Sequence, residues 1–309
     1  MMQKIIYILS LTFVCSYGGT LDSTVTNSAS ERIINGQNST HQEYLYAVSI
    51  QRISGNVAEH ACGGALITYR HVLTAARCTY SIGSAGNVIP IVTSELRVFA
   101  GADLLTNTSN DRIRNVANYT VHPNHIVQPS HVNDIAILNL IVPFPETVVR
   151  PLPLAAANST PADFTVCSVA GWGARTVGST TPSAVLQISS TYIYNHDTCA
   201  AIFHSVQNLG NVLPTMICAA NFNALAANCD GDQGNALVCD GALTGVLFLP
   251  TDCLKGVSIN PVIPEIYTKV SNYTTWIQSV TSSSSALKSE IFAVLILTIF
   301  QGIFMKVAN

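Results

Sequence analysis

The chain has 309 residues, of which only 10% are charged, and its formal net charge is −3 at pH 7. Lys and Arg form no runs, so the sequence lacks the electrostatic footprint of a nucleic-acid-binding protein, and no nucleic-acid partner is expected. Once the unusual segments at both ends are set aside, the length suits one large all-β domain or two small ones.

The N-terminus has the pattern of a secretory signal peptide. Lys4 precedes an apolar run over Ile5–Val14, and small residues follow as far as Gly19. The run is too short to span a bilayer comfortably, and a buried first strand is the weaker alternative. Residues 1–19 are therefore predicted to be a signal peptide of a secreted protein. Residues 20–32 are rich in Ser, Thr and Asn, which favours a short pro-segment.

The body of the chain is predicted to be all-β, because short apolar stretches are separated by Gly, Pro and Asn. The good helix candidate is Val270–Val280, where Val270, Tyr273 and Ile277 keep helical spacing beside a cap at Ser271. No other stretch of the body predicts a helix. The predicted strands include Ala47–Ile50, Leu96–Phe99, Ile135–Leu140, Val166–Ala170, Ala236–Val238 and Gly245–Leu249.

The cysteine count is typical of an oxidising compartment. Nine cysteines occur, and Cys15 lies in the predicted signal peptide, which leaves eight for disulfides. Their pairing is not fixed by spacing alone. No Cys-x-x-Cys pair or Cys/His cluster indicates a metal site, and no cofactor is predicted. Asn-x-Ser/Thr glycosylation sequons occur at Asn38, Asn107, Asn118, Asn158 and Asn272.

Residues 281–309 form a Ser-rich spacer followed by a hydrophobic tail. Ser282–Ser285 precede a short polar stretch, and the apolar run Ile291–Met305 ends near the C-terminus. Small residues before a short apolar tail are typical of a GPI-attachment signal. A membrane helix, an interfacial anchor and a soluble amphipathic tail are the alternatives. Attachment to the outer cell surface is thus expected if the tail is an anchor.

Seven short motifs follow one another along the chain. They are Arg32-Ile33-Ile34-Asn35-Gly36, Cys62-Gly63-Gly64-Ala65-Leu66-Ile67, Leu73-Thr74-Ala75-Ala76-Arg77-Cys78, Asn133-Asp134-Ile135-Ala136-Ile137-Leu138, Ala170-Gly171-Trp172-Gly173, Cys229-Asp230-Gly231-Asp232-Gln233-Gly234 and Pro264-Glu265-Ile266-Tyr267-Thr268-Lys269-Val270. In this order they resemble the motifs of the chymotrypsin-like (trypsin fold, S1-type) serine proteases, and the resemblance assigns residues 33–280 to one protease-like domain. It implies an all-β fold of two six-stranded antiparallel β-barrels, a cleft between them and a C-terminal helix.

The same resemblance resolves the disulfide pairing. It implies four bonds that use all eight cysteines, namely Cys62–Cys78, Cys167–Cys239, Cys199–Cys218 and Cys229–Cys253.

The catalytic triad implied by the family is altered at two of its three positions. The orienting carboxylate is kept as Asp134, but Arg77 stands at the general-base position and Gln233 at the nucleophile position. A guanidinium has no lone pair with which to take a proton, and an amide is not a competent nucleophile. The side chain of Gln233 is also expected to enter the space of the scissile carbonyl. The sequence therefore predicts a catalytically inactive homologue that is not an enzyme.

Other histidines and serines are not expected to replace the missing groups. His60 and His71 lie near the base position in sequence but not at it, and catalytic geometry tolerates only small errors. Ser258 and Ser271 are interpreted as ordinary loop and cap serines. Arg77 is instead predicted to form an ion pair with Asp134 that fills the former base site.

The specificity pocket is predicted to have changed as well. Ala227 stands at the pocket base, a bulky Leu249 replaces a wall glycine, and Glu265 replaces a second wall glycine. The Glu265 carboxylate either selects a basic side chain or plugs the pocket. Plugging is favoured because a receptive pocket must be concave and open.

The activation machinery of the family is retained. Arg32-Ile33 matches the activation cleavage site, Asp232 matches the aspartate that pairs with the new α-amino group, and Gly231 occupies the oxyanion-hole position. Inherited structure and a retained proteolytic switch explain this equally well.

The expected function is protein binding or regulation outside the cell. The partner is expected to be a protease, an inhibitor or a cascade component. The alternatives are an active serine-type endopeptidase with an atypical site and a structural surface glycoprotein.

Overall fold

The computed structural model describes residues 37–38, 43–127, 131–175, 179–206, 211–221, 228–250 and 263–282. The predicted signal peptide, the pro-segment, the Arg32-Ile33 junction, Ala227, Cys253, Ser258 and the tail beyond residue 282 lie outside these residues. None of the described helices is long and apolar enough to cross a membrane.

Strands dominate the described residues, as the sequence predicts. They are β1 (Gln37–Asn38), β2 (Ala47–Ser54), β3 (Val57–Leu66), β4 (His71–Thr74), β5 (Tyr80–Ile82), β6 (Val88–Pro90), β7 (Leu96–Ala100), β8 (Ile113–Val121), β9 (Ala136–Leu140), β10 (Val166–Gly171), β11 (Gln187–Tyr194), β12 (Met216–Ala220), β13 (Ala236–Cys239), β14 (Ala242–Leu249) and β15 (Glu265–Lys269).

The first barrel is a closed ring of six antiparallel strands in the order β2, β3, β4, β9, β8 and β7. Closure leaves no unpaired strand edge, which is how small all-β domains avoid edge-to-edge association. Its interior is filled by fully buried aliphatic and aromatic side chains, among them Ile50, Leu66, Leu73, Phe99 and Ile137. The two-stranded hairpin of β5 and β6 stands apart from this ring.

The second barrel also closes. Its order is β11, β10, β13, β14, β15 and β12, with pairing of β12 to β11 completing the ring and β1 added beside β11. Burial alternates along β11, where Gln187, Ser189, Thr191 and Ile193 face inward. A period of two is the signature of a strand with one face toward a core. The predicted fold of two six-stranded antiparallel barrels is confirmed.

The helix prediction needs a correction. Helix α1 spans His196–Val206, although the sequence pattern predicts no helix before the C-terminal one. Asn195 caps it, since its Oδ1 accepts the Thr198 N–H at 3.0 Å. Cys199, Ile202 and Phe203 form its buried stripe at helical spacing. The cap and the stripe were the overlooked sequence signals.

The C-terminal helix is present but starts later than predicted. A 3-10 turn spans Val270–Asn272, and helix α2 then covers residues 274–282. Ile277 on α2 and Tyr273 before it pack into the core of the first barrel. The C-terminal helix therefore lies against the first barrel, far along the chain from the strands that it covers.

Three predicted disulfides are confirmed. They are Cys62–Cys78, Cys167–Cys239 and Cys199–Cys218. Cys229 is also disulfide-bonded, and its predicted partner Cys253 lies outside the described residues. The sequons at Asn107, Asn118, Asn158 and Asn272 all place the asparagine on an exposed position, whereas the side chain of Asn38 is not described.

Candidate functional site

Two of the three positions of the altered triad, Arg77 and Gln233, line one cavity, and the third, Asp134, is bonded to Arg77. Arg77 lies on the 3-10 turn Ala76–Thr79 between β4 and β5, Asp134 lies just before β9, and Gln233 lies in the turn before β13. The cavity has a volume of about 280 Å³. Its lining residues are Cys62, Arg77, Tyr80, Ile82, Val127, His131 and Gln233.

Arg77 and Asp134 form the predicted ion pair. The Arg77 Nε donates to Asp134 Oδ2 at 2.5 Å, and the Arg77 backbone N–H donates to Oδ1 at 3.0 Å. The Asp134 side chain is 0% exposed and that of Arg77 is 21% exposed. A charge-assisted bond at this burial is strong, and each charge offsets the desolvation cost of the other. The guanidinium thus fills the position where the family places an imidazole.

Two contacts from the second barrel hold this pair in place. Phe248 lies under the Arg77 guanidinium, with 5.5 Å between the Cζ atom and the ring centroid. Thr268 Oγ1 donates to the Asp134 backbone oxygen at 2.9 Å. Arg77 and Asp134 come from the first barrel, so their position depends on the packing of both barrels.

Gln233 folds back on its own turn. Its Oε1 accepts the Gly231 backbone N–H at 3.0 Å, which is the donor at the oxyanion-hole position. Gly231 has a φ of 94°, a conformation that favours glycine, and an added Cβ would meet the His60 ring at 3.2 Å. The amide oxygen of Gln233 therefore occupies the Gly231 N–H, the donor that the family resemblance assigns to a substrate carbonyl oxygen.

His131 is a site residue that the sequence reasoning missed. It lines the same cavity, and burial, followed by the charge of Arg77, lowers its pKa. Its Nδ1 and the Nη2 of Arg77 are buried and have no hydrogen-bond partner among the described residues. Its position three residues before Asp134 was the available signal. The cavity therefore holds a neutral imidazole and a guanidinium with unsatisfied polar atoms.

His60 and His71 each have hydrogen-bond partners in the described part of the chain. His60 bridges Ser49 Oγ at 2.7 Å and the Gly231 backbone oxygen at 2.9 Å, and burial lowers its pKa to about 4. His71 Nδ1 is paired with Thr68 Oγ1 at 2.8 Å.

Two of the three predicted pocket residues lie within the described part of the chain. Glu265 is buried, and its carboxylate accepts the Asn228 backbone N–H at 2.8 Å, the Asn228 side-chain N–H at 2.7 Å and the Tyr267 hydroxyl at 2.7 Å. Leu249 packs against the apolar cluster around α1. Ala227 lies outside the described residues, so the plugged pocket stays a prediction.

The comparisons with known proteins identify the family. The model of the family described as trypsin matches residues 33–277. This chain belongs to the trypsin family. Its trypsin-family relatives include trypsin delta of Drosophila erecta, which is 29% identical over 278 residues, covering 89% of this chain and 98% of the relative.

Two further matches extend the comparison. Fibrinolytic enzyme isozyme C of Lumbricus rubellus is 32% identical over 250 residues, which cover 79% of this trypsin-family chain and 98% of the relative. The solved structure of human heparin binding protein superposes with a TM-score of 0.64 and 26% identity, covering 81% of this chain and 97% of that one.

The prediction that the chain is not an enzyme is wrong by these comparisons. The family and the relatives that it matches along most of its length are named as trypsins and as a fibrinolytic enzyme. They point to a serine protease. Arg77 and Gln233 differ from the family's residues at the base and nucleophile positions. Two such substitutions do not by themselves demonstrate a lack of activity.

Proposed function

We propose that this trypsin-family chain acts on polypeptides outside the cell and that a polypeptide segment binds in the cavity lined by Arg77, His131 and Gln233. The observation that carries the proposal is the placement of this cavity, which is lined by two of the three triad positions, Arg77 and Gln233, while the third, Asp134, is bonded to Arg77. Disulfide bonds agree with the predicted export to an oxidising compartment.

The rim of the cavity supports a polypeptide ligand. Ile82 lines the cavity and is 46% exposed, and its neighbours on the same hairpin, Val88 and Ile89, are exposed to a similar degree. Ile126, beside the cavity residue Val127, is also exposed. An exposed apolar rim around polar donors is typical of a surface that binds another protein.

Two roles follow from such binding. The relatives favour hydrolysis, with this chain as a serine-type endopeptidase of atypical site chemistry. The filled base site and the engaged Gly231 N–H favour holding a protein partner, such as a protease, an inhibitor or a cascade component. The trypsin fold is compatible with a binding role, since one similar solved structure is titled a heparin binding protein.

One experiment tests the proposal and separates the two roles. The secreted protein, cleaved after Arg32, is incubated with a mixed peptide library and a covalent probe directed at serine hydrolases. Cleaved peptides support the endopeptidase role, and peptides retained intact support the binding role. If the protein neither cleaves nor retains any peptide, the proposal is wrong.

A matched pair of variants locates the binding surface. Ile82→Asp places a charge on the cavity rim, and we expect it to weaken peptide retention or turnover at least ~10-fold. Ile141→Asp is the control, because Ile141 is 51% exposed but lies outside the residues that line the cavity. Equal effects of the two variants would contradict the assignment of this surface.

A further inference from the structure

The buried carboxylate of Asp232 lies at the centre of the turn that shapes the site. Asp232 stands between Gly231 and Gln233 and is 0% exposed. A buried carboxylate is costly unless hydrogen bonds compensate for lost water. The family resemblance gives this aspartate a cationic partner only after cleavage at Arg32, so its partners in the uncleaved chain decide whether the turn is ordered.

Neutral donors surround both oxygens of this carboxylate. Oδ1 accepts the Gly173 backbone N–H at 2.9 Å and the Asn235 side-chain N–H at 2.8 Å. Oδ2 accepts the Cys229 backbone N–H at 2.9 Å. Burial raises the pKa of Asp232 to about 6, so at neutral pH the group is mainly ionised and depends on these three bonds.

Asn235 is the unusual member of this set. The family motif Gly-Asp-Ser-Gly-Gly-Pro has glycine at this position, and glycine has no side-chain donor. The Asn235 backbone N–H donates to the Asp232 backbone oxygen at 2.9 Å, and the Asn235 backbone oxygen accepts the Leu247 N–H at 2.9 Å. The residue is thus fixed at its backbone as well as at its side chain.

Glycines make room for the Asn235 amide. A Cβ added to Gly63 would lie 1.6 Å from Asn235 Oδ1, and one added to Gly171 would lie 2.0 Å from Asn235 Nδ2. Contacts this short are forbidden, so the amide occupies a slot that depends on glycine at both positions. The slot holds the amide in the orientation that donates to Asp232.

His60 supports the same turn from the first barrel. Its two ring nitrogens are bonded to Ser49 and to the Gly231 backbone oxygen. These bonds give Gly231 a support that does not involve Asn235. We propose that Asn235 is a positioning residue that orders the turn carrying Gly231 and Gln233 before, and independently of, cleavage at Arg32.

Hydrogen exchange in an uncleavable chain tests this inference, which does not depend on the proposed function. The full chain carrying Arg32→Gln is compared with the wild-type chain cleaved after Arg32. We expect the amides of Gly173 and Cys229 to be equally protected in both. Fast exchange in the uncleaved chain that slows after cleavage would overturn the proposal, whatever the behaviour of further variants.

Asn235→Gly in the Arg32→Gln background tests the residue itself. Loss of its bond should speed exchange at the Gly173 and Cys229 amides ~10-fold, and cleavage of an otherwise wild-type Asn235→Gly chain should restore protection. A purely structural role would not make protection depend on cleavage. Asn195→Gly, which removes the cap of α1, is the control and should leave these amides unchanged. No acceleration in Asn235→Gly would also overturn the proposal.

Discussion

At the scale of single residues, arginine at position 77 changes the role of the buried Asp134 carboxylate. Asp134 remains fully buried, and the guanidinium of Arg77 now meets it through Nε, beside a bond from the Arg77 backbone N–H. Removing one partner of a buried pair leaves the other charged and unsatisfied, which costs more than the pair contributes. Arg77 is therefore as important for stability as for the shape of the site.

We expect Arg77→Ala to lower the free energy of unfolding by roughly 3 kcal/mol, since Asp134 would keep its burial and lose its cation. Urea denaturation measures the change. The double variant Arg77→Ala with Asp134→Asn is the control and should recover a large part of the loss, because it removes the uncompensated charge. A double variant that is as unstable as the sum of the two single variants would contradict the ion pair.

The sequence predicted this pair but not every neighbour of it. The family resemblance of the motifs supplies the triad positions, and it assigns Arg77, Asp134 and Gln233 to one site before the structure is considered. The bond from Asn235 to Asp232 depends on a slot formed by Gly63 and Gly171, which lie far apart in the chain. Such a contact depends on tertiary packing, which a local motif does not contain.

At the scale of elements, the Cys62–Cys78 disulfide joins the middle of β3 to the turn that carries Arg77. The same segment is tied to the second barrel, because the Gly63 N–H donates to the Gln233 backbone oxygen at 2.8 Å. The disulfide and this hydrogen bond together connect the segments that carry Cys62, Arg77 and Gln233, which line the cavity.

Removing either of two disulfides with similar loop lengths should have different effects on the site. Cys62→Ser with Cys78→Ser opens a loop of sequence separation 16, and Cys199→Ser with Cys218→Ser opens one of 19. Each should cost about 3 kcal/mol of unfolding free energy, by the loop-entropy model. Only the first pair should also weaken peptide binding. Equal binding by both double variants would show that the cavity walls do not need this bond.

The strand prediction was more successful than the helix prediction. The six predicted strands occur, because each is a short apolar stretch bounded by turn residues. Helix α1 was missed, since its stripe of Cys199, Ile202 and Phe203 is narrow and contains a cysteine that reads as a disulfide residue. Its stability depends on packing against the second barrel more than on helix propensity.

At the scale of the whole molecule, His60 connects the two barrels. Its ring joins Ser49 on β2 to the Gly231 backbone in the turn of the second barrel. Burial lowers its pKa to about 4, whereas a histidine in the unfolded chain titrates near ~6.5. The neutral ring therefore stabilises the fold above pH ~6.5, and this contribution is lost as the pH falls toward 4.

Stability measured against pH checks this linkage. Between pH 7 and pH 4, wild-type protein should lose about 3 kcal/mol relative to His60→Gln, which keeps donor and acceptor groups but does not titrate. Asp232 acts in the opposite sense, because its raised pKa of about 6 makes the folded state bind a proton first. Asp232→Asn should therefore show a steeper acid loss than wild type. Parallel pH profiles for all three proteins would contradict these assignments.

The bond between Gln233 and the Gly231 N–H has a kinetic consequence. Any ligand whose carbonyl uses that donor must first displace the amide, so the chain competes with its own ligands at this position. If the displaced form is a minor population, the apparent affinity falls by that fraction and association becomes a two-step process. For a ligand that binds tightly, the observed association rate constant would then be small and would reach a plateau as the ligand concentration rises.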